Sequence, residues 1–359
     1  MRLAIQEPGF DLHNRANIWL GASLELIRQF KPVIFVRGWR RYVTRAMPLR
    51  RRMKAAGFDP EAFEFAFTVA ELNRKADVLV CFRENATLPR HQPPRGFRGM
   101  KIWHTMEGNG FPTAVNRTLV ENGVSYVMAN GRQDEYCPFY RQNYPTFVGR
   151  VISMPFGFAD RFQNQKPFAK RIRKVIGFGA INLVDPSDGL LANDPDYVLY
   201  EWCRFFKNER FTQSWRRKLL EHEAELQVVL DCHFPRYPAN SGFNVDSVVA
   251  LNNYAMFAND ESIAPFAPGR TYEGPACGAA MISSDHPCFK DLGFVDGVNC
   301  IMHRRFDLAD FREKAAHYIN NPAQLEAIAA AGCMMVREQY SHAAIARRLY
   351  ADIQSRWTD

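Results

Sequence analysis

Short apolar runs alternate with longer amphipathic stretches along this chain, and that alternation predicts an α/β fold with parallel strands. Residues 3–5 predict a first strand. A helix follows over about 17–30, with Ile18, Gly21, Ala22, Leu24 or Glu25, and Ile27 or Arg28 tracking its faces. Further buried strands are expected at 32–36 (PVIFV), 76–81 (ADVLVC), 100–103 (MKIW) and 124–129 (VSYVMA). Segments this short and continuously apolar suit parallel strands covered on both faces. No internal repeat is present.

A break in character falls at residues 145–173, where Pro155, Gly157 and Pro167 precede a basic run. A fresh strand at 175–180 (VIGFGA) then runs into glycine, as a second nucleotide-binding-type domain often opens. Beyond it the pattern predicts helices at 197–206 and 212–225, a strand at 227–230, a short helix at 272–278 and a buried strand at 279–283. An amphipathic helix over 307–320 shows Leu308, Phe311, Ala315 and Tyr318 on one face. Asn321-Pro322 restarts a helix, with Pro at its first position. Ser341 is placed to cap the last helix, whose apolar side is Ile345, Leu349 and Ile353. The expected domains are 1–160, 161–340 and a C-terminal helix over 341–359 that crosses back to the first domain.

The 359 residues suffice for two domains of ordinary size. With 47% hydrophobic and 23% charged residues the composition is that of a globular protein. No stretch approaches the roughly 20 apolar residues needed to span a bilayer, and the first residues lack the pattern of a secretory signal. Eight scattered cysteines form no CxxC pair, as expected of reduced, packed thiols. A cytoplasmic location follows as the expectation, with a peripheral position at the inner membrane face as its extension.

The net charge of +8 is unevenly spread. Residues 37–54 carry Arg37, Arg40, Arg41, Arg45, Arg50, Arg51, Arg52 and Lys54 and no acid. Such a run attracts polyanions, and Arg40, Arg41, Arg50 and Arg51 are the candidates for an acceptor or anionic surface. A solvated helix face is the plain alternative. No nucleic-acid-binding motif accompanies the charge, so nucleic acid is not the expected partner.

Candidate chemistry gathers where strands end, because ligands of open α/β sheets sit at the carboxyl ends. In GRTYEGPACGAA, Arg270 stands at a helix start, where unpaired N–H groups and a guanidinium suit a pyrophosphate. Thr271 and Tyr272 open that helix, and Glu273 is suited to the two vicinal hydroxyls of a ribose. Arg173 or Lys174 could add charge. An inverting transfer needs a general base, for which Asp11 and His13 in the first loop and Glu107 after the fourth apolar run are candidates; each could instead be a cap or a loop hydrogen-bonding residue, the commoner role for such a residue. Asp194-Pro195-Asp196 is discounted as a metal site. The absence of Walker A, GxGxxG and GxSxG patterns weakens NTPase, dehydrogenase and hydrolase readings.

Residues 270–350 resemble the C-terminal part of group 1 glycosyltransferases, especially the spore-maturation glycosyltransferase-like branch. The resemblance rests on Arg270, Glu273, Ala276-Cys277-Gly278, Asp296-Gly297-Val298-Asn299, Asn321-Pro322 through Gly332, and Tyr340-Ser341-His342 through Arg348. Met154 to Phe162 is similar to the family's interdomain linker. Ile176-Gly177-Phe178-Gly179 stands where its donor domain opens, and Ile102 to Thr105 is similar to a strand whose histidine, here His104, faces the donor sugar. The resemblance implies a GT-B fold, two Rossmann-like domains facing a central cleft. It also implies a nucleotide-sugar donor held through Gly179, Arg270 and Glu273, an acceptor that is a glycan or lipid-linked and bound by the first domain, and no cofactor or required metal. Many retaining members place a sugar-contacting glutamate eight residues before the one matched by Glu273. This chain has Pro265 there, with Glu261 nearby but out of register. A sugar-nucleotide epimerase on the same fold and a non-enzymatic polyanion-binding protein are the other readings the residues leave open.

Overall fold

The computed structural model describes residues 1–6, 18–38, 48–82, 92–105, 112–181, 214–234, 246–261 and 265–358. They form two compact units, Met1–Pro155 with His342–Asp359, and Phe156–Ser341.

Unit 1 is built on a seven-stranded parallel sheet: β1 Leu3–Gln6, β2 Val33–Phe35, β3 Phe65–Ala66, β4 Val78–Cys81, β5 Met100–His104, β6 Tyr126–Ala129 and β7 Val151–Ser153, in the order β3-β2-β1-β4-β5-β6-β7. Every residue of β1, β2 and β4 is buried, which is why these strands, Gln6 apart, read as apolar runs. Helix α1, Ile18–Phe30, and the terminal helix His342–Thr358 pack together in this unit, and Phe30 stacks on Tyr350 at 3.9 Å. Gly21 lets them approach closely: a Cβ there would lie 2.1 Å from the His342 ring. Ile345, Leu349 and Ile353 enter the same core as Ile5, Leu26 and Val80.

Unit 2 carries a five-stranded parallel sheet: β8 Ile172–Phe178, β9 Leu230–His233, β10 Tyr254–Ala258, β11 Ala280–Ser284 and β12 Ile301–His303, in the order β12-β11-β10-β8-β9. The chain leaves β8 towards β9 and returns on the other side at β10, so the carboxyl ends of β8 and β10 border a topological switch point. The helices that matter below are α2 Ser214–Glu221, α3 Ser247–Asn253 and α4 Arg270–Ala276.

Three expectations need correction. Strand β10 was not anticipated, because α3 passes into it with no intervening residue (Asn253 to Tyr254) and no turn signal marks the change. The strand placed at 227–230 is Leu230–His233; as the sheet's edge strand it carries half-buried Asp231 and Cys232, so its period is masked. The single helix over 212–225 is instead α2, then a separate turn of helix at Glu223–Leu226, parted at His222. The helix expected at 197–206 lies outside the described residues.

Leu349→Ala should cost about 2–5 kcal/mol. Hydrogen exchange read by mass spectrometry should show faster exchange in β1 and β4 and unchanged protection in β10, because Leu349 belongs to the unit 1 core alone.

Candidate active site

At the switch point of unit 2, β8 ends in Phe178 and turns at Gly179, whose φ of +111° is open to glycine. The turn also needs space. A Cβ on Gly179 would sit 2.0 Å from Arg270 Nη2 and 3.2 Å from Arg216 Nη1. Two guanidinium groups therefore converge over one glycine. Arg270 is buried, its guanidinium lying 4.4 Å from the Phe178 ring centroid, with Nη1 3.5 Å from the Ala258 carbonyl. Arg216, on α2, donates from Nε to Asp260 at 2.8 Å and from Nη1 to the Ala180 carbonyl at 2.9 Å.

Burial, and then the like charge of Arg216, push the Arg270 guanidinium down, against the pull of Asp260 and Glu273. Burial raises Asp260, opposed by Arg216 and Arg270. Two buried cations sharing a carboxylate and a few carbonyls favour a further anion in the same place. Glu273 is half-buried on α4; burial raises it, and Arg270 and Arg161 lower it.

The sequence-predicted residues fare differently. Gly179, Arg270 and Glu273 come together. Thr271 and Tyr272 have no exposed surface: the Thr271 hydroxyl accepts from Asn259 Nδ2 at 3.0 Å, and Tyr272 packs against Tyr340. As placed, both side chains serve the core. The helix start is also not an open anion cradle. Helix α4 has seven residues, and the amides of Thr271, Tyr272 and Glu273 donate to the Pro268 and Gly269 carbonyls. Positive charge at the site comes from side chains. Lys174 is directed elsewhere, to Asp231 at 2.9 Å, and at about 3.3 Å per residue it lies about 16 Å up the strand from Gly179. Glu261 is buried and accepts from Ser284 Oγ and Arg305 Nε, which fastens the ends of β10 and β11 to the segment after β12.

In unit 1, His104 ends β5, buried and edge-on to Phe82. Burial lowers its pKa to about 3. Arg50 and Arg51 are exposed on the helix Leu49–Ala55, Arg50 paired with Glu61 at 2.6 Å. Asp11, His13, Glu107, Arg40 and Arg41 lie outside the described residues, as does the Asp194-Pro195-Asp196 triplet. Arg216 and Asp260 escaped the sequence reading. The run Asn259-Asp260-Glu261 closing the apolar YAMFA was the available signal, since three polar residues at a strand's carboxyl end are buried here. Arg216 sits on an ordinary amphipathic helix and carried none.

Residues 204–351 match the family model described as glycosyl transferase-like. Among solved structures, HepE (Alr3699) of Anabaena in complex with UDP and glucose aligns with a TM-score of 0.56 at 12% identity, over 99% of this chain and 100% of its own. Sucrose-phosphate synthase of Thermosynechococcus elongatus aligns at 0.52 and 11% identity, over 100% and 99%. The lipopolysaccharide outer core galactosyltransferase WaaB aligns at 0.50 and 13%, over 99% and 100%. No curated protein sequence matches. The architecture is the GT-B fold. Within it, residues 204–351 are similar to the glycosyl transferase-like domain.

The unfolded chain protonates a histidine near pH 6.5, whereas folded His104 resists protonation down to about pH 3. The native state thus binds fewer protons across that window, and stability should fall as pH drops through it. His104→Gln should remove up to about 1.4 kcal/mol per pH unit from that slope, read by urea unfolding at stepped pH.

Proposed function

We propose that unit 2 binds a nucleoside diphosphate sugar, with Arg216 and Arg270 holding the diphosphate over Gly179, and that the chain transfers the sugar to a hydroxyl of a glycan or lipid-linked acceptor. The observation that carries this reading is the pair of guanidinium groups, 3.2 Å or less from one point above the switch-point glycine. Guanidinium forks match phosphate oxygens in geometry as well as charge. Structurally similar HepE is known with UDP and with UDP-glucose, which fits the same donor chemistry.

In the transfer, the acceptor oxygen forms a bond to the anomeric carbon while the bond from that carbon to the diphosphate oxygen breaks. The electron pair leaves with the nucleoside diphosphate, and the hydroxyl proton passes to a base. Preorganised positive charge on the departing oxygens is the largest contribution a protein can make to such a step. In this reading Arg270 and Arg216 supply it, with no metal ion required. Asp260 orients Arg216, and Glu273 receives the ribose hydroxyls. Burial keeps the guanidinium groups in a medium where their field is strong.

The helix Leu49–Ala55 supports an anionic surface for the acceptor side. Its first turn carries Arg50 and Arg51 and no acid, against the helix dipole, and both side chains are exposed. A peripheral contact with an anionic membrane follows. Among the described residues no helix is long and apolar enough to cross a membrane.

Calorimetric titration with UDP tests the donor site. Arg216→Met and Arg270→Met should each weaken binding about tenfold to a hundredfold, the loss of a charged hydrogen bond or two. Gly179→Ala should do the same by displacing the Arg270 guanidinium. Absence of UDP binding to the native protein, or its persistence in all three variants, would refute this site. Sedimentation with vesicles containing phosphatidylserine tests the surface: binding should fall as salt rises and fall further in Arg50→Glu/Arg51→Glu.

A further inference from the structure

Helix α4 carries Arg270 and Glu273 in its first turn, yet its firmest polar attachments lie at the other end. Seven residues make a helix about 10 Å long, too short to persist alone, so its position comes from its surroundings. At the start, Arg270 Nη1 reaches the Ala258 carbonyl at 3.5 Å, the limit of a hydrogen bond, and Thr271 accepts from Asn259 at 3.0 Å. Along its length the contacts are apolar. Tyr272 packs against Tyr340, and Gly274 comes so close to Phe257 that a Cβ would lie 2.2 Å from the ring. Apolar packing has no direction, so it fixes separation between elements better than it resists sliding.

The far end is held differently. Gly278, at a φ of +77°, closes the helix, and the Gly278 and Ala279 amides return to the Pro275 and Gly274 carbonyls. The carbonyls of Ala276 and Cys277 lie beyond that closure, and each takes a guanidinium. Arg337, on the helix Pro322–Gln339, donates from Nη2 to the Ala276 carbonyl at 2.7 Å. Arg171, buried, donates from Nη2 to the Cys277 carbonyl at 2.6 Å. Both groups also hold the segment ahead of β8. Arg337 reaches the Phe162 carbonyl at 3.3 Å, and Arg171 reaches Asn164 Oδ1 at 2.8 Å and the Lys166 carbonyl at 3.2 Å. From Nη1, Arg171 donates to the Leu251 carbonyl of α3 at 2.8 Å.

A guanidinium offers its donors in fixed directions, so these bonds set the height of α4 along its own axis. Arg270 stands about 9 Å up that axis from Ala276, at 1.5 Å per residue, and a helix of two turns carries a shift at one end whole to the other. We propose that Arg171 and Arg337 are positioning residues for the diphosphate, acting through α4 on the Arg270 guanidinium. The proposal rests on the donor reading above and adds to it two residues that do not touch the ligand.

A double-mutant cycle read by calorimetric titration with UDP, well below the unfolding transition, tests it. Arg337→Met should weaken UDP about tenfold in the native background and by less than about twofold in Arg270→Met, because the group it positions is then gone. Arg337→Lys keeps a cationic donor for the Ala276 carbonyl and should recover much of the loss. Arg171→Lys, which keeps the charge but not the fixed fork, should weaken UDP and show the same dependence on Arg270. Equal losses in both backgrounds, or a lowered melting temperature with unchanged UDP affinity, would overturn the proposal and leave the donor site standing. A native protein that binds no UDP removes the donor site and this proposal together.

Discussion

Two guanidinium groups held in a protein interior beside one glycine set the terms for unit 2. Taking such charges out of water costs several kcal/mol each unless partners restore what hydration supplied. Here the partners are Asp260, the carbonyls of Ala180 and Ala258, and the face of Phe178. Each belongs to the carboxyl end of β8 or β10, so the parallel sheet and its strand order bring the compensation together. A side chain at position 179 would occupy the space of Arg270. The glycine, the strand order and the charge cluster are therefore one arrangement seen at three scales.

The general architecture was legible because parallel strands covered on both faces are mostly apolar, and β1, β4 and β11 are buried at every position. Part of the cluster at the switch point was legible as well: Gly179 follows a strand, and Arg270 and Glu273 lie in a recognisable run. What stayed hidden had physical causes. Strand β10 opens on a tyrosine after two asparagines, and nothing separates it from the helix before it. Arg216 earns its position through a contact made with Asp260, 44 residues away in sequence, and no local pattern encodes that. The burial of Thr271 and Tyr272 was not legible, because adjacency to Arg270 says nothing about which way a side chain on a short helix turns.

The two units manage charge differently. Unit 2 buries it in a compensated cluster. In unit 1 burial keeps the histidine at the end of β5 neutral, while Arg50 and Arg51 are displayed on the surface of the helix Leu49–Ala55. Buried charge favours a ligand of fixed geometry, because the groups cannot rearrange. Exposed charge on long side chains suits larger and less regular anions, at the cost of screening by salt.

The terminal helix gives this division a temporal side. Unit 2 is contiguous in sequence, so all its parts are synthesised before the terminal helix. Unit 1 begins first yet lacks Ile345, Leu349 and Ile353 until the helix that follows unit 2 is made. The nascent N-terminal half thus carries the uncovered face of α1 through the synthesis of a whole second domain. The part of the chain made earliest is the last that can complete its core, and during that interval its exposed strand edges and apolar helix face are the segment most in need of chaperone cover.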